Sequence, residues 1–397
     1  MIHFENIYNR ELKEYPRNIK LISGLDKIDE FKNSSLQKLN DYLYEITYTS
    51  PLDYVLADSY YQKYAPVLGG GCSAFRKGDY LGRNYDWFYT NEIEFLLRVT
   101  RGVDDLGNIR YASIGMTSSG IDNFNINTYK EMGFLLPFLT VDGINENGVC
   151  VELNVLTPEE DRYGRTTGTN LNTPNLSQLA ISRLILDYAT SVDHAIDLVQ
   201  TRNIYSCFKE GFNEEFHYIV ADKDKTVILE FVDNKLNILE PEQPIMTNFY
   251  LTGFDGNIIT GFEKSEPISP ESTTLGKYAM GLERYTIIKD AYDNIKSEED
   301  VYNVLKSIRY TNSYKSSTNP FWYSEFVGKT NTFGDLSIYL PSSKFSDIIS
   351  YCQEKYELGE RDGSTWQTTH SSIYNISEKT LSVMTQENDT IYKFKLL

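Results

Sequence analysis

The sequence predicts an α+β protein built in layers, and three observations predict it. From residue 72 onward the chain reads as a succession of short strands. Two stretches, 176–202 and 277–308, interrupt them with helical periodicity, and the residues from 371 to the end alternate like a closing meander. Antiparallel strand runs separated by helix pairs belong to layered α+β folds, whereas a doubly wound parallel sheet needs strands and helices in strict alternation.

Each element has its own local reason. In DKIDEFKNSSLQKLNDYLYEI (26–46), Ile28, Phe31, Leu36, Leu39, Leu43 and Ile46 recur at helical spacing, which predicts an amphipathic helix. Ser50-Pro51 ends it, because the residue before proline avoids the helical region. Strands are expected at 73–75, 80–84, 94–100 and 109–115. A hairpin of 135–141 and 149–154 is expected around the turn-prone Asp142-Gly143 and Asn147-Gly148. Residues 176–202 read as two consecutive helices, the second capped by Ser191 or Asp193. Strands return at 216–221, 226–232 and 236–239, with ADKDKT as a turn between the first two. Helices follow at 277–295 and 298–308, then two or three final strands.

Composition narrows the function classes. With 397 residues the chain buries a sizeable core, and its formal net charge of −18 argues against nucleic acid or an anionic membrane as a partner. Residues 1–71 carry 8 Lys/Arg and 10 Asp/Glu, so the acidity belongs to the main body. The four cysteines (Cys72, Cys150, Cys207, Cys352) and four histidines (His3, His194, His217, His370) are scattered without metal-ligand spacing, and no metal or organic cofactor is expected. No export signal or membrane-spanning run is read, so the expected location is cytoplasmic.

The stretch LGGGCSAFRKGDYLGRNYDWF (68–88) carries the chemistry. Glycines allow a tightly turned backbone that brings a thiol onto the carbonyl preceding it. Attack by the Cys72 sulfur on the Gly71 carbonyl converts the amide to a thioester, and water then frees Cys72 as a new N-terminus. The freed α-amine titrates at about 7.7–8.0, near working pH, so one residue supplies both nucleophile and general base. The bland reading is a flexible linker followed by a buried structural cysteine.

Cys72 followed by Gly82-Arg83-Asn84-Tyr85-Asp86-Trp87 resembles the N-terminal-nucleophile (Ntn) cysteine hydrolases of the choloylglycine hydrolase and penicillin V acylase group, with the acid ceramidase and penicillin acyltransferase families as relatives. Further stretches resemble the group in the same order: Asp142-Gly143-Ile144-Asn145-Glu146-Asn147-Gly148 leading to Leu153-Asn154, then Met246-Thr247-Asn248, Gly281-Leu282-Glu283-Arg284-Tyr285 and Ser371-Ser372-Ile373-Tyr374. The resemblance spans about residues 72–397. It implies a four-layer αββα sandwich of two antiparallel sheets between helical layers, preceded by a helical propeptide at 1–71. It also implies a catalytic set: Cys72 as nucleophile, Arg83 beside the sulfur, Asp86 orienting the α-amine, Asn154 and Asn248 donating to the oxyanion, and Arg284 completing the charge network.

The activity so implied is hydrolysis of linear amide C–N bonds in N-acyl conjugates (bile-salt, fatty-acyl or penicillin V-like), after self-cleavage at Gly71–Cys72. The 71-residue extension is longer than an initiator methionine, and it is expected to cover the substrate cleft of a zymogen. Acyl transfer to an amine from the same site is the alternative. A non-catalytic binding protein on the same scaffold, or an internal thiol paired with His194 or His217, are readings of other classes. The partner is a small-molecule N-acyl amide, and relatives assemble as tetramers or clipped heterodimers, so a homo-oligomer stays open.

Overall fold

The computed structural model describes residues 36–41, 43–49, 52, 54, 72–88, 94–103, 107–117, 133–156, 175–205, 215–232, 234–252, 282–309, 366–385 and 390–396. In chain order the strands are β1 (Leu36–Lys38), β2 (Leu43–Tyr48), β3 (Cys72–Lys77), β4 (Tyr80–Phe88), β5 (Glu94–Val99), β6 (Gly102–Val103), β7 (Ile109–Arg110), β8 (Ser113–Thr117), β9 (Thr140–Asn145) and β10 (Cys150–Leu156). They continue as β11 (Asn175–Ser177), β12 (Asn203–Tyr205), β13 (Glu215–Ala221), β14 (Thr226–Val232), β15 (Lys235–Leu239), β16 (Ile245–Met246), β17 (Trp366–Asn375), β18 (Thr380–Thr385) and β19 (Tyr392–Lys395). The described α-helices are α1 (Ile181–Tyr188), α2 (Val192–Gln200), α3 (Leu282–Ala291) and α4 (Glu298–Ser307).

Two sheets dominate. One has nine strands in the order β1-β2-β5-β8-β9-β10-β13-β14-β15, the other six in the order β16-β3-β4-β17-β18-β19. Helix α1 packs on β9 and β10 of the larger sheet, and α4 packs on β4 and β17 of the smaller one. Asn84 Nδ2 on β4 donates to the Leu305 carbonyl of α4 (2.9 Å). The other faces of the two sheets meet, as the ion pair between Arg83 on β4 and Asp142 on β9 shows. The layers therefore run helix, sheet, sheet, helix, in agreement with the expected α+β sandwich. Among the described residues these two sheets are antiparallel except where β2 runs parallel to β5, and the separate β11–β12 pair is also parallel.

The β2–β5 join corrects the helix expected over 26–46. Residues 36–48 form β1 and β2, paired to each other, and Leu43 and Ile46 are fully buried. The segment LYEITY is rich in aromatic and β-branched residues, and the unpaired edge of β5 offers it a full ladder, so tertiary pairing overrides the helical spacing. Asn40 makes the turn: its Oδ1 accepts from Leu43 N at 2.7 Å, the local side-chain bond that favours asparagine in turns. Residues 26–35 lie outside the described residues.

A second correction concerns the hairpin. Residues 133–139 form a 3-10 turn, and Asp142-Gly143 sits inside β9, leaving Asn147-Gly148 to make the turn with Gly148 at φ +81°. Gly143 opposes Gly115 of β8, and the Leu186 side chain of α1 closes over it. A Cβ on Gly143 would lie 2.6 Å from Leu186 Cδ1, so this glycine serves close approach, not a turn.

The remaining elements follow their signals. Ser191 caps α2 by accepting from His194 N, and Ser297 with Asp300 forms a capping box on α4. The expected 109–115 strand is split into β7 and β8, and the 277–281 part of the third helix lies outside the described residues.

Candidate active site

Strand alternation sets the site. Cys72 opposes Tyr85 and Ala74 opposes Arg83 in the β3–β4 pair, so Cys72, Arg83 and Tyr85 share the face turned toward the large sheet. Asn84 and Asp86 occupy the opposite face, toward α3 and α4. The Cys72 thiol is buried, with its sulfur 3.5 Å from Arg83 Nη2. The same guanidinium donates to Asp142 Oδ2 (2.8 Å) and to the Leu153 carbonyl, and lies 4.8 Å from the Tyr85 ring centre.

On the other face, Arg284 of α3 bridges two expected site residues. Its Nη1 donates to Asp86 Oδ2 and its Nη2 to Asn248 Oδ1, both at 2.6 Å. Asn248 Oδ1 also accepts from the Cys72 backbone nitrogen at 3.0 Å. Thr368 on β17 completes the Asp86 shell by donating to Oδ1. Arg83 and Asn248 thus touch Cys72 directly, and Arg284 ties Asp86 to Asn248, although α3 stands about 200 residues from β4 in the chain.

The details differ from the implied roles. The Cys72 nitrogen is held by Asn248, while the Asp86 carboxylate binds Arg284 and Thr368. Asn154 Nδ2 donates to the carbonyls of Met246 (3.2 Å) and Thr247 (3.3 Å), and Asn248 Nδ2 to that of Val155 (2.7 Å). Both asparagine amides therefore spend hydrogens on main-chain carbonyls that tie β10 of the large sheet to the 246–248 segment at β16 of the small one. Gly71, the other half of the expected cleavage bond, lies outside the described residues.

Burial and charge tune these groups in opposite senses. Burial pushes the Cys72 thiol up, opposed by the Arg83 charge and a hydrogen bond from the Asp86 main chain. Burial also raises Asp86, to about 6, because Arg284 and Thr368 compensate only in part. Burial would raise Asp142 as well, but a hydrogen bond from His370, the Arg83 charge and a hydrogen bond from Tyr374 outweigh it and hold Asp142 at about 2.

Asp142, His370, Tyr374 and Thr368 are site residues that sequence reasoning missed. Asp142 stands in a quoted motif but reads locally as part of a turn, and Thr368 and His370 carry no local signal in a strand of small polar residues. Of the two histidines weighed as thiol partners, His194 bonds Thr190, and His217, paired across from Asn154, is buried between Glu230 (3.1 Å) and the Thr247 carbonyl (2.8 Å). Cys150 is a buried free thiol; Cys207, Cys352 and His3 lie outside the described residues. Among the described residues no cluster could hold a metal ion, and no helix is long and apolar enough to cross a membrane.

A cavity of about 20 Å³, room for one water, opens beside the thiol and is lined by Cys72, Tyr85, Phe138, Leu153, Leu179 and Phe216 among others. The buried thiol, with an arginine on its sulfur, stands between two sheets faced by helices. Residues 75–250 match the model of the linear amide C–N hydrolases, choloylglycine hydrolase family; over that stretch the chain carries this family's pattern, and the protein is an amidohydrolase.

Among solved structures, the chain is similar to a mutant of conjugated bile acid hydrolase from Clostridium perfringens (14% identity, 82% of this chain and 92% of that one, TM-score 0.46). It is also similar to penicillin V acylase from Agrobacterium tumefaciens (11%, 82% and 86%, TM-score 0.35). A third is the Caenorhabditis elegans ortholog of N-acylethanolamine-hydrolyzing acid amidase (12%, 77% and 92%, TM-score 0.33). No curated protein matches the sequence.

Proposed function

We propose that the protein is a self-processing hydrolase of N-acyl amides with an apolar acyl group, active after cleavage at Gly71–Cys72. The observation that carries this reading is the position of the Cys72 sulfur, 3.5 Å from Arg83 Nη2 and on the wall of an apolar cavity. The thiol attacks the substrate carbonyl and passes its proton to the freed α-amine of Cys72. That amine then protonates the leaving nitrogen as the C–N bond breaks to give a thioester. Water, deprotonated by the same amine, releases the acid and regenerates the thiol. Arg83 favours the thiolate, while Asn248, braced by Arg284 and Asp86, holds the nitrogen that becomes the base. Asn154 and Asn248 are assigned to the oxyanion, for which Asn154 turns one of its two amide hydrogens away from the Met246 and Thr247 carbonyls.

The segment before Cys72 is assigned as a propeptide, 1–71, and 72–397 as the catalytic unit. Tyr54 supports a role for it at the cavity: its ring meets Phe138 edge-on at 4.9 Å, and Phe138 lines the space beside the thiol. A cytoplasmic location is assigned on the scattered, unpaired cysteine pattern.

The test is release of free acid from N-acyl amides of increasing acyl length by wild-type protein and by Cys72→Ala, with an added amine acceptor in parallel. Acid release abolished in Cys72→Ala supports hydrolysis. Acyl transfer to the added amine in preference to water supports the transferase alternative, and equal rates in the two proteins remove Cys72 from the chemistry.

A further inference from the structure

Behind Arg83, the inter-sheet layer holds a row of charged groups that the reaction above does not use. Asp142 accepts three donors: Arg83 Nη1 at 2.8 Å, His370 Nε2 at 3.2 Å, and the Tyr374 hydroxyl. His370 is fully buried, stacks on the Tyr85 ring (5.1 Å between centres, 26° between planes), and its Nδ1 lies 3.3 Å from Glu94 Oε2. This last contact is an ion pair out of line for a hydrogen bond.

We propose that His370 is a positioning residue of the Cys72 site: clamped between Glu94 and Asp142, it fixes the Asp142 carboxylate and, through it, the Arg83 guanidinium against the Cys72 sulfur. This inference rests on the reading of Cys72 as nucleophile.

The backbone is shaped for it. Strand β17 pairs Thr368 with Asp86 and His370 with Tyr85, so one extra residue on β17 is passed between adjacent positions of β4. Without that bulge, residues two apart would share a face. With it, Thr368 reaches Asp86 on the helix side while His370 reaches Asp142 on the inter-sheet side. Bulges recur next to active sites because they re-aim a side chain in this way.

The charged and titratable groups around His370 come from every neighbouring strand: Arg83 and Tyr85 on β4, Glu94 on β5, Asp142 on β9, Glu152 on β10, Cys72 on β3 and Tyr374 on its own strand. Glu152 is buried with neither carboxylate oxygen hydrogen-bonded, and burial pushes its carboxyl well above the usual range. Burial would lower His370, but Glu94 and Asp142 outweigh it and raise it above the usual 6.5. The charged imidazole therefore persists to higher pH than a free one, and its proton leaves only above that ordinary value. Its loss leaves Glu94 and Asp142 less compensated and adds negative potential near the thiol, which disfavours the thiolate.

Three measurements on the processed protein decide this. In His370→Gln, kcat for amide hydrolysis is expected to fall about 100-fold with KM within about threefold, as for a misplaced group that does not touch substrate. The alkaline limb that wild type shows as His370 deprotonates is expected to vanish. An unchanged kcat, or a loss that leaves this limb in place, overturns the proposal. Imidazole NMR of wild type, with the four signals assigned by elimination through His3→Ala, His194→Ala and His217→Gln, needs no folded His370 variant. A His370 that titrates at or below the free-imidazole value overturns the proposal. Should wild type hydrolyse no N-acyl amide, the functional reading falls, while iodoacetamide alkylation of Cys72 still reads His370. A rate about tenfold lower at fixed pH in His370→Gln supports the charge link, and equal rates refute it.

Discussion

The Cys72 sulfur and the Arg83 guanidinium meet at 3.5 Å although they stand 11 residues apart, because β3 and β4 form one antiparallel hairpin around Gly78 (φ +60°). Residues diagonally opposed on one face of such a pair are neighbours. The spacing of the Cys-x10-Arg pattern is therefore the arithmetic of a hairpin, and the two-residue turn makes the site local at its centre.

Replacing Arg83 by lysine keeps the charge but loses the fork. One ammonium cannot serve Asp142, the Leu153 carbonyl and the sulfur together. Arg83→Lys is expected to remain folded and lose about 100- to 1,000-fold in kcat. Arg83→Leu, which strands the Asp142 charge, is expected to cost about 3–5 kcal/mol in urea unfolding. Full activity in the lysine variant would remove the guanidinium from the mechanism.

The two buried aspartates predict opposite stability slopes. Asp142, held at about 2 against an ordinary 3.8, contributes about 2 kcal/mol above pH 4 that is lost as the pH falls through 2. Asp86, raised to about 6, works the other way: the folded state binds its proton more tightly, so stability falls by about 3 kcal/mol as pH rises from 4 to 6. Denaturant unfolding across pH 2–7 should show Asp142→Asn flattening the lower window and Asp86→Asn the upper. A variant curve parallel to wild type in its own window contradicts the assignment.

Gly115 is the position where a methyl group does most harm. A Cβ there would lie 2.2 Å from the Asp142 carbonyl oxygen and 2.9 Å from Gly143 Cα, both main chain. Strands β8 and β9 must part to admit it, and Asp142 moves with β9. Gly115→Ala is expected to destabilise by about 3 kcal/mol and to depress activity beyond what Cys72-remote core variants of equal stability do. Thermal unfolding alongside kcat separates the two effects.

Strands β1 and β2, which precede the proposed cleavage bond, predict a retained propeptide. With Leu43, Ile46 and Tyr48 buried and β2 laddered to β5, the fragment 1–71 is expected to co-elute with 72–397 on native size exclusion after cleavage. Ile46→Asp is expected to release it. A free fragment from the wild-type protein contradicts the pairing.

What the sequence revealed was what depends on local pattern. The β3 and β4 strands, the β13–β15 meander, the cap at Ser191, and the motifs that carry Cys72, Arg83, Asp86, Asn248 and Arg284 were legible from periodicity, turn chemistry and motif order. The prosegment misleads because LYEITY takes its conformation from β5, a partner 51 residues away in the paired register. Gly143 misleads because a glycine needed for close packing looks the same in sequence as one needed for a turn. His370 was illegible for a different reason: its partners Glu94 and Asp142 come from two other strands, and a bulge decides which face it occupies.

Self-cleavage is the central claim, and intact mass with N-terminal sequencing of freshly purified wild type beside Cys72→Ala tests it most directly. The prediction is a 71-residue fragment and a 326-residue fragment beginning at Cys72, which together make the 397 residues, with the alanine variant remaining one chain. A wild-type chain still whole after prolonged incubation across pH, or an alanine variant cut at the same bond, would contradict it.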